Sequence, residues 1–157
     1  MGTTQHAWTT ARRRLARERA HQGGFLIGIA LMAAVDEIVF HQILGWHHFY
    51  DRSTPAIGLL SDGLLHAVEV VALVAGFFLL LDARRRSALR AGVAVAGGLT
   101  GAGLFQLWDG VVDHKLLRVH QVRYEVDLLP YDVAWIVSGA VLLVAGVVLS
   151  VRARRAA

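Results

Sequence analysis

The chain has 157 residues, of which 55% are apolar, and its net charge is +4. The length predicts a single domain, and the mean hydropathy of +0.50 is too high for an ordinary soluble one. The sequence contains no cysteine, which excludes disulfides, thiolate metal ligands, iron–sulfur clusters and cysteine nucleophiles. Its two methionines are too few for a methionine-based copper(I) relay.

Four long apolar runs follow one another along the chain, at residues 25–44, 63–81, 91–117 and 133–151. Each reaches or approaches the ~20 residues that a helix needs to cross ~30 Å of hydrocarbon. They predict an all-α fold, a bundle of four transmembrane helices that forms one membrane domain over residues 1–157. A soluble bundle is the alternative, but the segments between the runs hold too little polar surface to cover it. Small residues that allow close helix packing are concentrated in the third run, at Gly97, Gly98, Gly101 and Gly103.

Basic residues lie beside the helix ends on one predicted side of the membrane. They occur in three places: in a basic segment at residues 1–22, in the connection between the second and third runs, and after the fourth run. The residues are Arg12, Arg13, Arg14, Arg17 and Arg19 in the first place, Arg84, Arg85, Arg86 and Arg90 in the second, and Arg152, Arg154 and Arg155 in the third. Because Lys and Arg near helix ends are retained in the cytoplasm, both the N and C termini are predicted to be cytoplasmic. Residues 45–61 and 118–131 are then predicted to face the exoplasmic side. A basic arm that binds nucleic acid is the alternative interpretation of these charges.

A polar pattern occurs twice in the chain. Two segments share the spacing Asp-x4-His-x5-His at an offset of 73 residues, with Asp36, His41 and His47 in the first and Asp109, His114 and His120 in the second. The second apolar run matches the fourth at an offset of 70 residues, and there Asp62 falls on Asp132. Such self-similarity is the signature of a repeat. The chain is therefore predicted to contain two tandem helical hairpins, at about residues 24–82 and 97–152, related by a pseudo-twofold axis along the membrane normal.

The predicted membrane helices contain many ionisable residues, which are costly in lipid and usually functional. The candidate metal ligands are His41, His66, His114, Asp36, Glu69, Asp109, Asp113 and Asp62, together with the loop histidines His47, His48 and His120. In an α-helix Asp62, His66 and Glu69 fall on one stripe. By the same geometry Asp36 and His41 stand about 140° apart, so they are expected to face different neighbours. Most of these residues lie toward the exoplasmic ends, which predicts a polar cavity that opens on that side.

Carboxylates and imidazoles that converge in an apolar bundle point first to a metal ion. Carboxylates stay ionised there only when they are paired or act as ligands, and neutral His is a common metal ligand. The lack of sulfur ligands favours Zn, Fe, Mn or Cu. Dinuclear four-helix bundles use Glu-x-x-His motifs on two helices, whereas this chain has a reversed pair, His66-x-x-Glu69, on one helix. Three alternatives stay open: axial haem ligation by His41, His66 or His114, a proton or ion pathway, and a polar core that only pins the helices.

Three motifs carry a family resemblance: Val39-Phe-His41-Gln-Ile-Leu-Gly-Trp-His47-His48, Ser61-Asp62-Gly-Leu-Leu-His66 and Asp109-Gly-Val-Val-Asp113-His114. Over about residues 24–148 the chain resembles a bacterial family of membrane proteins known as domain of unknown function 2243. The resemblance implies a location in the bacterial inner (plasma) membrane and implies no activity. It also implies that His41, Asp62, His66, Asp109, Asp113, His114 and His120 match the family pattern, and that Glu37, Lys115 and Gln121 depart from it.

The leading hypothesis is an integral membrane metalloprotein with a His/carboxylate transition-metal site in the exoplasmic half of the bundle. Such a site serves redox chemistry, metal-dependent chemistry or metal handling. A haem-binding electron-transfer bundle and a non-enzymatic accessory subunit with a structural polar core are the alternatives. The predicted partners are the lipid bilayer and either a second copy of the chain or a respiratory membrane protein, but no nucleic acid. The sequence has no serine elbow, phosphate loop or nucleotide motif, so it leaves open whether the protein is an enzyme.

Overall fold

The computed structural model describes residues 2–87 and 89–155, with side chains at 15 and from 17 onward. The described residues contain no strand. They form four α-helices, α1 (Gly2–Asp36), α2 (Pro55–Arg85), α3 (Ala91–Trp108) and α4 (Leu129–Arg155), and two π-helical segments that continue α1 over Glu37–Ile43 and α3 over Asp109–Leu116. The arginines predicted to be cytoplasmic at positions 12–14 lie outside the described side chains.

Four helices are long and apolar enough to cross a membrane, at Arg17–Ile43, Pro55–Arg85, Ala91–Leu116 and Leu129–Arg155. The shortest has 26 residues: the 18 residues of α3 alone span about 27 Å at 1.5 Å per residue, and its π-helical continuation adds eight more, so together they cover the ~30 Å of the hydrocarbon core. The predicted set of four apolar helices is therefore confirmed. Both α2 and α4 begin several residues before the apolar runs, because their N-terminal turns contain polar residues that the runs leave out.

Local signals fix the ends of α2. Thr54 is its N-cap, with Oγ1 accepting from the backbone N–H of Ile57 at 3.4 Å, and Pro55 fills the first helical position, where no N–H is needed. Near the other end Asp82 accepts from Arg19 Nη1 and Arg86 Nε, each at 2.8 Å. The helix is thus capped at its start and tied to α1 at its end.

Glycines bring the backbones of α1 and α3 into direct contact. A Cβ atom added at Gly28 would lie 2.0 Å from the carbonyl oxygen of Gly98, and one added at Gly24 would be equally close to the backbone of α3. From the other side, a Cβ at Gly97 or Gly101 would meet the backbone of α1 at 2.2 and 2.1 Å. Small residues at a spacing of four permit this approach in lipid. The predicted packing role of the glycines in the third run is confirmed at these positions.

The pair α1–α3 forms the centre of the fold, with α2 packed on α1 and α4 packed on α3. The contact of α4 also depends on a glycine, because a Cβ at Gly103 would lie 2.3 Å from the backbone nitrogen of Leu143. Gln106 supports the same contact, donating to the carbonyl of Trp135 at 3.0 Å and to Ser138 Oγ at 2.7 Å. The outer faces of α2 and α4 are apolar and exposed, as expected of helices that contact lipid.

The two π-helical segments end in the same way. In each, two backbone N–H groups close the segment: Leu44 and Trp46 donate to Val39 and Phe40, and Leu117 and Val119 donate to Val112 and Asp113. The second set lies 73 residues after the first, at the offset of the polar repeat. We call the end of the helices that carries these segments, together with the connections 44–54 and 117–128, the loop end.

Candidate metal centre

The π-helical geometry decides which polar side chains share a face. Sequence reasoning with α-helical geometry placed Asp36 and His41 on different faces, and this expectation is wrong. A π-helix bonds residue i to residue i+5, which brings residues five apart into register. His41 Nε2 lies 3.7 Å from Asp36 Oδ2, and the equivalent atoms of His114 and Asp109 lie 3.1 Å apart. Each π-helical segment therefore presents a carboxylate and an imidazole to the same space.

Four buried histidines meet at the loop end and form what we call the imidazole cluster: His41, His47, His114 and His120. The ring centroids of His41 and His47 are 4.4 Å apart, and those of His114 and His120 are 4.6 Å apart. His47 and His120 join the two pairs by stacking at 4.7 Å with an angle of 8° between their planes. The cluster therefore combines histidines from both halves of the chain in one place.

Ligand atoms within the cluster converge closely enough to share an ion. One potential ligand atom from each of His47, His114 and His120 lies within 4.8 Å of the other two. Three atoms at that separation fit within about 2.8 Å of a common point, so shifts below about 1 Å would bring them to Zn–N distances of ~2.0–2.1 Å. Two further groups of three meet the same criterion: Asp36, His41 and His47, and Glu37, His41 and Asp62.

Carboxylates surround the imidazole cluster on both sides. Asp109 faces two of its members, with Oδ2 3.1 Å from His114 Nε2 and Oδ1 3.2 Å from His120 Nε2. On the opposite side Glu37 Oε2 lies 2.5 Å from His41 Nδ1. All of these side chains are buried. The arrangement supplies nitrogen and oxygen donors in the combination that borderline transition metals prefer.

Most ring nitrogens of the cluster have no hydrogen-bond partner among the described residues. Seven of the eight nitrogens of His41, His47, His114 and His120 are buried and make no hydrogen bond to the described residues, although carboxylate oxygens lie 2.5–3.7 Å from four of the seven. An unpaired buried polar group costs ~1–3 kcal/mol, so the three nitrogens that also lack a carboxylate neighbour, both of His47 and Nδ1 of His114, oppose folding. A polar core that only pinned the helices would leave none of these three nitrogens without a partner.

The remaining nitrogen fixes the tautomer of His120. Its Nδ1 lies 2.9 Å from the carbonyl oxygen of Phe49, and because a carbonyl can only accept, Nδ1 carries the proton. A neutral His120 ring then directs the lone pair of Nε2 at Asp109 Oδ1, an acceptor 3.2 Å away. Two acceptors at this distance repel unless a proton or a metal ion lies between them. A backbone carbonyl that orients the ring is the usual support of a metal-binding histidine.

The two cluster histidines in the connections have opposite pKa shifts. Burial and the neighbouring rings of His120 and His41 lower the pKa of His47 to about 2, so this ring is neutral. Burial alone would also lower the pKa of His120, but the contact with Asp109 Oδ1 and the charge of that carboxylate outweigh it and raise the pKa above its usual value. The cluster therefore combines the neutral imidazole of His47 with the imidazole of His120, which takes up a proton more readily than usual.

The two connections at the loop end cover the imidazole cluster. Besides the bond from His120 to Phe49, the backbone N–H of Asp51 donates to the carbonyl of Val119 at 3.0 Å. These bonds join the first connection to the second across the top of the central helices. The cover explains why the histidines of both connections are buried although they lie outside the helices.

Aromatic side chains hold the first connection against α4. Trp46 lies between Phe40 and Tyr131, with ring centroids 5.3 and 5.7 Å apart. The guanidinium of Arg123 lies 4.9 Å from the centroid of Trp46, and its Nη1 donates to the hydroxyl of Tyr131 at 2.9 Å. This group packs the first connection against α4 beside the centre.

Some predicted site residues lie apart from the imidazole cluster. His66 Nδ1 and Glu69 Oε2 are 2.9 Å apart and pair with each other, and 40% of the His66 side chain is exposed. Asp113 is buried, yet it belongs to none of the groups of three potential ligands found among the described side chains. His48 reaches the site indirectly, because its Nδ1 lies 2.6 Å from Asp62 Oδ2. His66 Nε2 also lies 3.7 Å from Glu37 Oε1, so the predicted stripe on α2 contacts the site at Asp62 directly and at His66 through Glu37.

Sequence reasoning left Glu37 out of the candidate ligands, although it is buried against His41. The signal that could have found it is the spacing of four residues between Glu37 and His41. The carbonyl of Phe49 was also missed, because backbone contacts between loops leave no pattern in a sequence. Lys115 and Gln121, which depart from the resembled pattern, bind each other at 3.2 Å.

Comparisons with known proteins give the family of the chain but no characterised relative. No curated protein and no solved structure matches it. A family model described as "Predicted membrane protein (DUF2243)" matches residues 23–153, which include most or all of each of the four apolar helices and every side chain of the imidazole cluster. The predicted resemblance is thereby confirmed, and the chain belongs to this family of membrane proteins.

Proposed function

We propose that the protein is an integral membrane metalloprotein that holds a transition-metal ion between His47, His114 and His120. The observation that carries this proposal is the convergence of three buried imidazoles whose nitrogens, apart from His120 Nδ1, make no hydrogen bond in the described part of the chain. A divalent ion would satisfy one nitrogen of each ring at once. It would also replace the proton that otherwise lies between His120 Nε2 and the carboxylate of Asp109.

The donor set favours Zn, Fe, Mn or Cu. Three imidazoles and the adjacent carboxylate of Asp109 are nitrogen and oxygen ligands of borderline hardness. Three protein ligands with a fourth position for a carboxylate, water or substrate are typical of metal centres that do chemistry. The crowding of the rings, with centroids 4.4–4.7 Å apart, favours a bare ion over haem, because a porphyrin does not fit between such neighbours.

The basic residues orient the proposed centre in the membrane. The described arginines of the predicted cytoplasmic set lie at the ends of the helices opposite the loop end. The positive-inside rule then makes both termini cytoplasmic and directs the loop end to the exoplasmic side of a bacterial inner membrane. In that orientation the metal centre lies near the outer surface, beneath the two connections.

We further propose that the single membrane domain arose by duplication of one helical hairpin. The two π-helical segments, their closing hydrogen bonds and their Asp and His side chains recur at one offset. Two π-helical segments at corresponding positions are harder to explain by chance than a similarity between two apolar sequences, because apolar sequences resemble one another in many membrane helices. The proposed metal position takes ligands from both halves, so it lies beside the pseudo-twofold axis.

Elemental analysis of the protein purified in detergent tests the proposal. The wild type is expected to contain at least one transition-metal ion per chain, and His114→Ala and His120→Ala are expected to lose it. His21→Ala is the matched control, because His21 binds Ser150 Oγ at 3.0 Å near the opposite ends of the helices. Metal-free wild type of normal stability, or equal metal content in all three variants, would contradict the proposal.

A further inference from the structure

We propose that the protein holds a second metal position, formed by Glu37, His41 and Asp62, and that the ring of His41 bridges it to the first. This inference rests on the proposed centre at His47, His114 and His120, which supplies the other ion. The second position lies between the first π-helical segment and α2, so it belongs to the first half of the chain alone.

The two edges of the His41 ring face different sets of ligands. On one edge Nδ1 lies 2.5 Å from Glu37 Oε2 and 3.3 Å from Asp62 Oδ1. On the other edge Nε2 faces Asp36 Oδ2 at 3.7 Å, and the ring lies against that of His47. Both nitrogens are buried and have no hydrogen-bond partner among the described residues. An imidazole placed in this way can bind one ion through each nitrogen.

Neighbouring groups hold both carboxylates of the second position. Gln42 Nε2 donates to Glu37 Oε1 at 3.0 Å, which leaves Oε2 directed at His41 without a hydrogen bond. Asp62 accepts from the backbone N–H of Phe49 at 2.8 Å, and His48 Nδ1 lies 2.6 Å from its other oxygen. Such supporting hydrogen bonds orient ligands before a metal binds.

The other half of the chain does not reproduce this arrangement. The position equivalent to Glu37 is Gly110, where an added Cβ would lie 2.8 Å from Cδ1 of Trp135, so no carboxylate fits there. The position equivalent to Asp62 is Asp132, whose carboxylate binds the ammonium of Lys115. The acidic pocket is thus specific to the first half, and the two positions are unlike, one rich in nitrogen and the other rich in oxygen.

The bridge has a definite proton balance. A neutral His41 carries one N–H proton, and this proton leaves to solvent when both nitrogens bind ions. The resulting conjugated ring connects the two metals, so unpaired electrons on them interact. This interaction gives the inference a spectroscopic signature that separate ions in one protein do not have.

Copper(II) is the probe for the test. Protein stripped by a chelator and reloaded with copper(II) in detergent is analysed for copper per chain and for the copper that contributes to the electron paramagnetic resonance signal. The wild type is expected to bind two ions, with a signal well below the total copper because the pair is coupled. Glu37→Gln and Asp62→Asn are each expected to bind one ion that is fully visible. Asp132→Asn, the matched control, is expected to behave as the wild type.

Each outcome in the wild type distinguishes the inference from the proposal on which it rests. One fully visible copper ion per chain would overturn the second position and leave the first standing. Two ions with a full signal would overturn the His41 bridge, and no specifically bound copper would contradict both. Circular dichroism and gel filtration check that the variants fold. The ratio of visible to total copper in the wild type tests the inference independently of the variants.

Discussion

The direct contact between α1 and α3 makes Gly28 a position where one methyl group should be destabilising. In Gly28→Ala the new Cβ would lie 2.0 Å from the carbonyl oxygen of Gly98, so the backbones must part by about 1.5 Å to reach an ordinary contact distance. Overpacking of this kind costs ~1–3 kcal/mol, against a gain of ~0.5–1 kcal/mol from replacing a helical glycine. We expect a net loss of about 1 kcal/mol in the free energy of unfolding.

Gly63→Ala is the matched control, because a Cβ at Gly63 in α2 meets nothing within 4 Å. It should keep or slightly raise stability, since it gains helix propensity without a clash. Unfolding of both variants by sodium dodecyl sulfate in mixed micelles, followed by circular dichroism, gives the difference. The same parting of α1 from α3 separates His41 from His114, so Gly28→Ala should also hold metal more weakly. Equal stability of the two variants would refute the close contact.

Three further predictions concern the metal and the groups that close the site. Removal of metal by a chelator should lower the midpoint of thermal unfolding, because an ion present at 100 times its Kd for the folded state adds ~2.7 kcal/mol to the free energy of unfolding. Re-addition of the metal should restore the midpoint, and an unchanged midpoint would argue against a structural contribution of the metal. Arg123→Ala should lose ~1 kcal/mol through its contact with Trp46 while the metal content stays unchanged, as judged by denaturation and elemental analysis together. Gln106→Ala should destabilise by ~1–3 kcal/mol in the same unfolding assay, because it removes both buried bonds to α4, and a neutral effect would contradict their role.

The membrane fold could be predicted because its signals are local. Runs of apolar residues specify helices by length alone, and the glycines at a spacing of four, such as Gly97 and Gly101, specify where two backbones meet. The order of packing, with α1 and α3 central and α2 and α4 outside, could not be derived in this way. It depends on how complementary surfaces fit, which no single helix reveals.

The members of the imidazole cluster could be named from the sequence, but their geometry could not. The repeat of Asp, His and His identified both halves of the cluster, yet α-helical geometry separated Asp36 from His41. A π-helical turn differs from an α-helical one by the choice of hydrogen-bond partner, and that choice depends on tertiary contacts at the loop end. The same limit applies to His47 and His120, which are buried only because the two connections cover them.

The assignment of ligands beyond the cluster shows a different limit. Asp62, His66 and Glu69 share a face of α2 in projection, but that face extends over several turns, and only Asp62 belongs to a group of three potential ligands, whereas His66 pairs with Glu69 and reaches Glu37 at 3.7 Å. Depth is set by where α2 begins, at Pro55 after the capping residue Thr54. Both the face of the helix on which a residue lies and its position along the membrane normal must therefore be known before ligands are assigned in a membrane helix.

The central claim is that the imidazole cluster binds a metal ion, and anomalous X-ray diffraction from crystals of the purified protein tests it most directly. Data collected on both sides of the absorption edge of the metal found by elemental analysis should show a peak between His47, His114 and His120, with Asp109 beside it. The claim would be contradicted by a map in which these nitrogens bind only water or each other, or by a peak located away from the loop end.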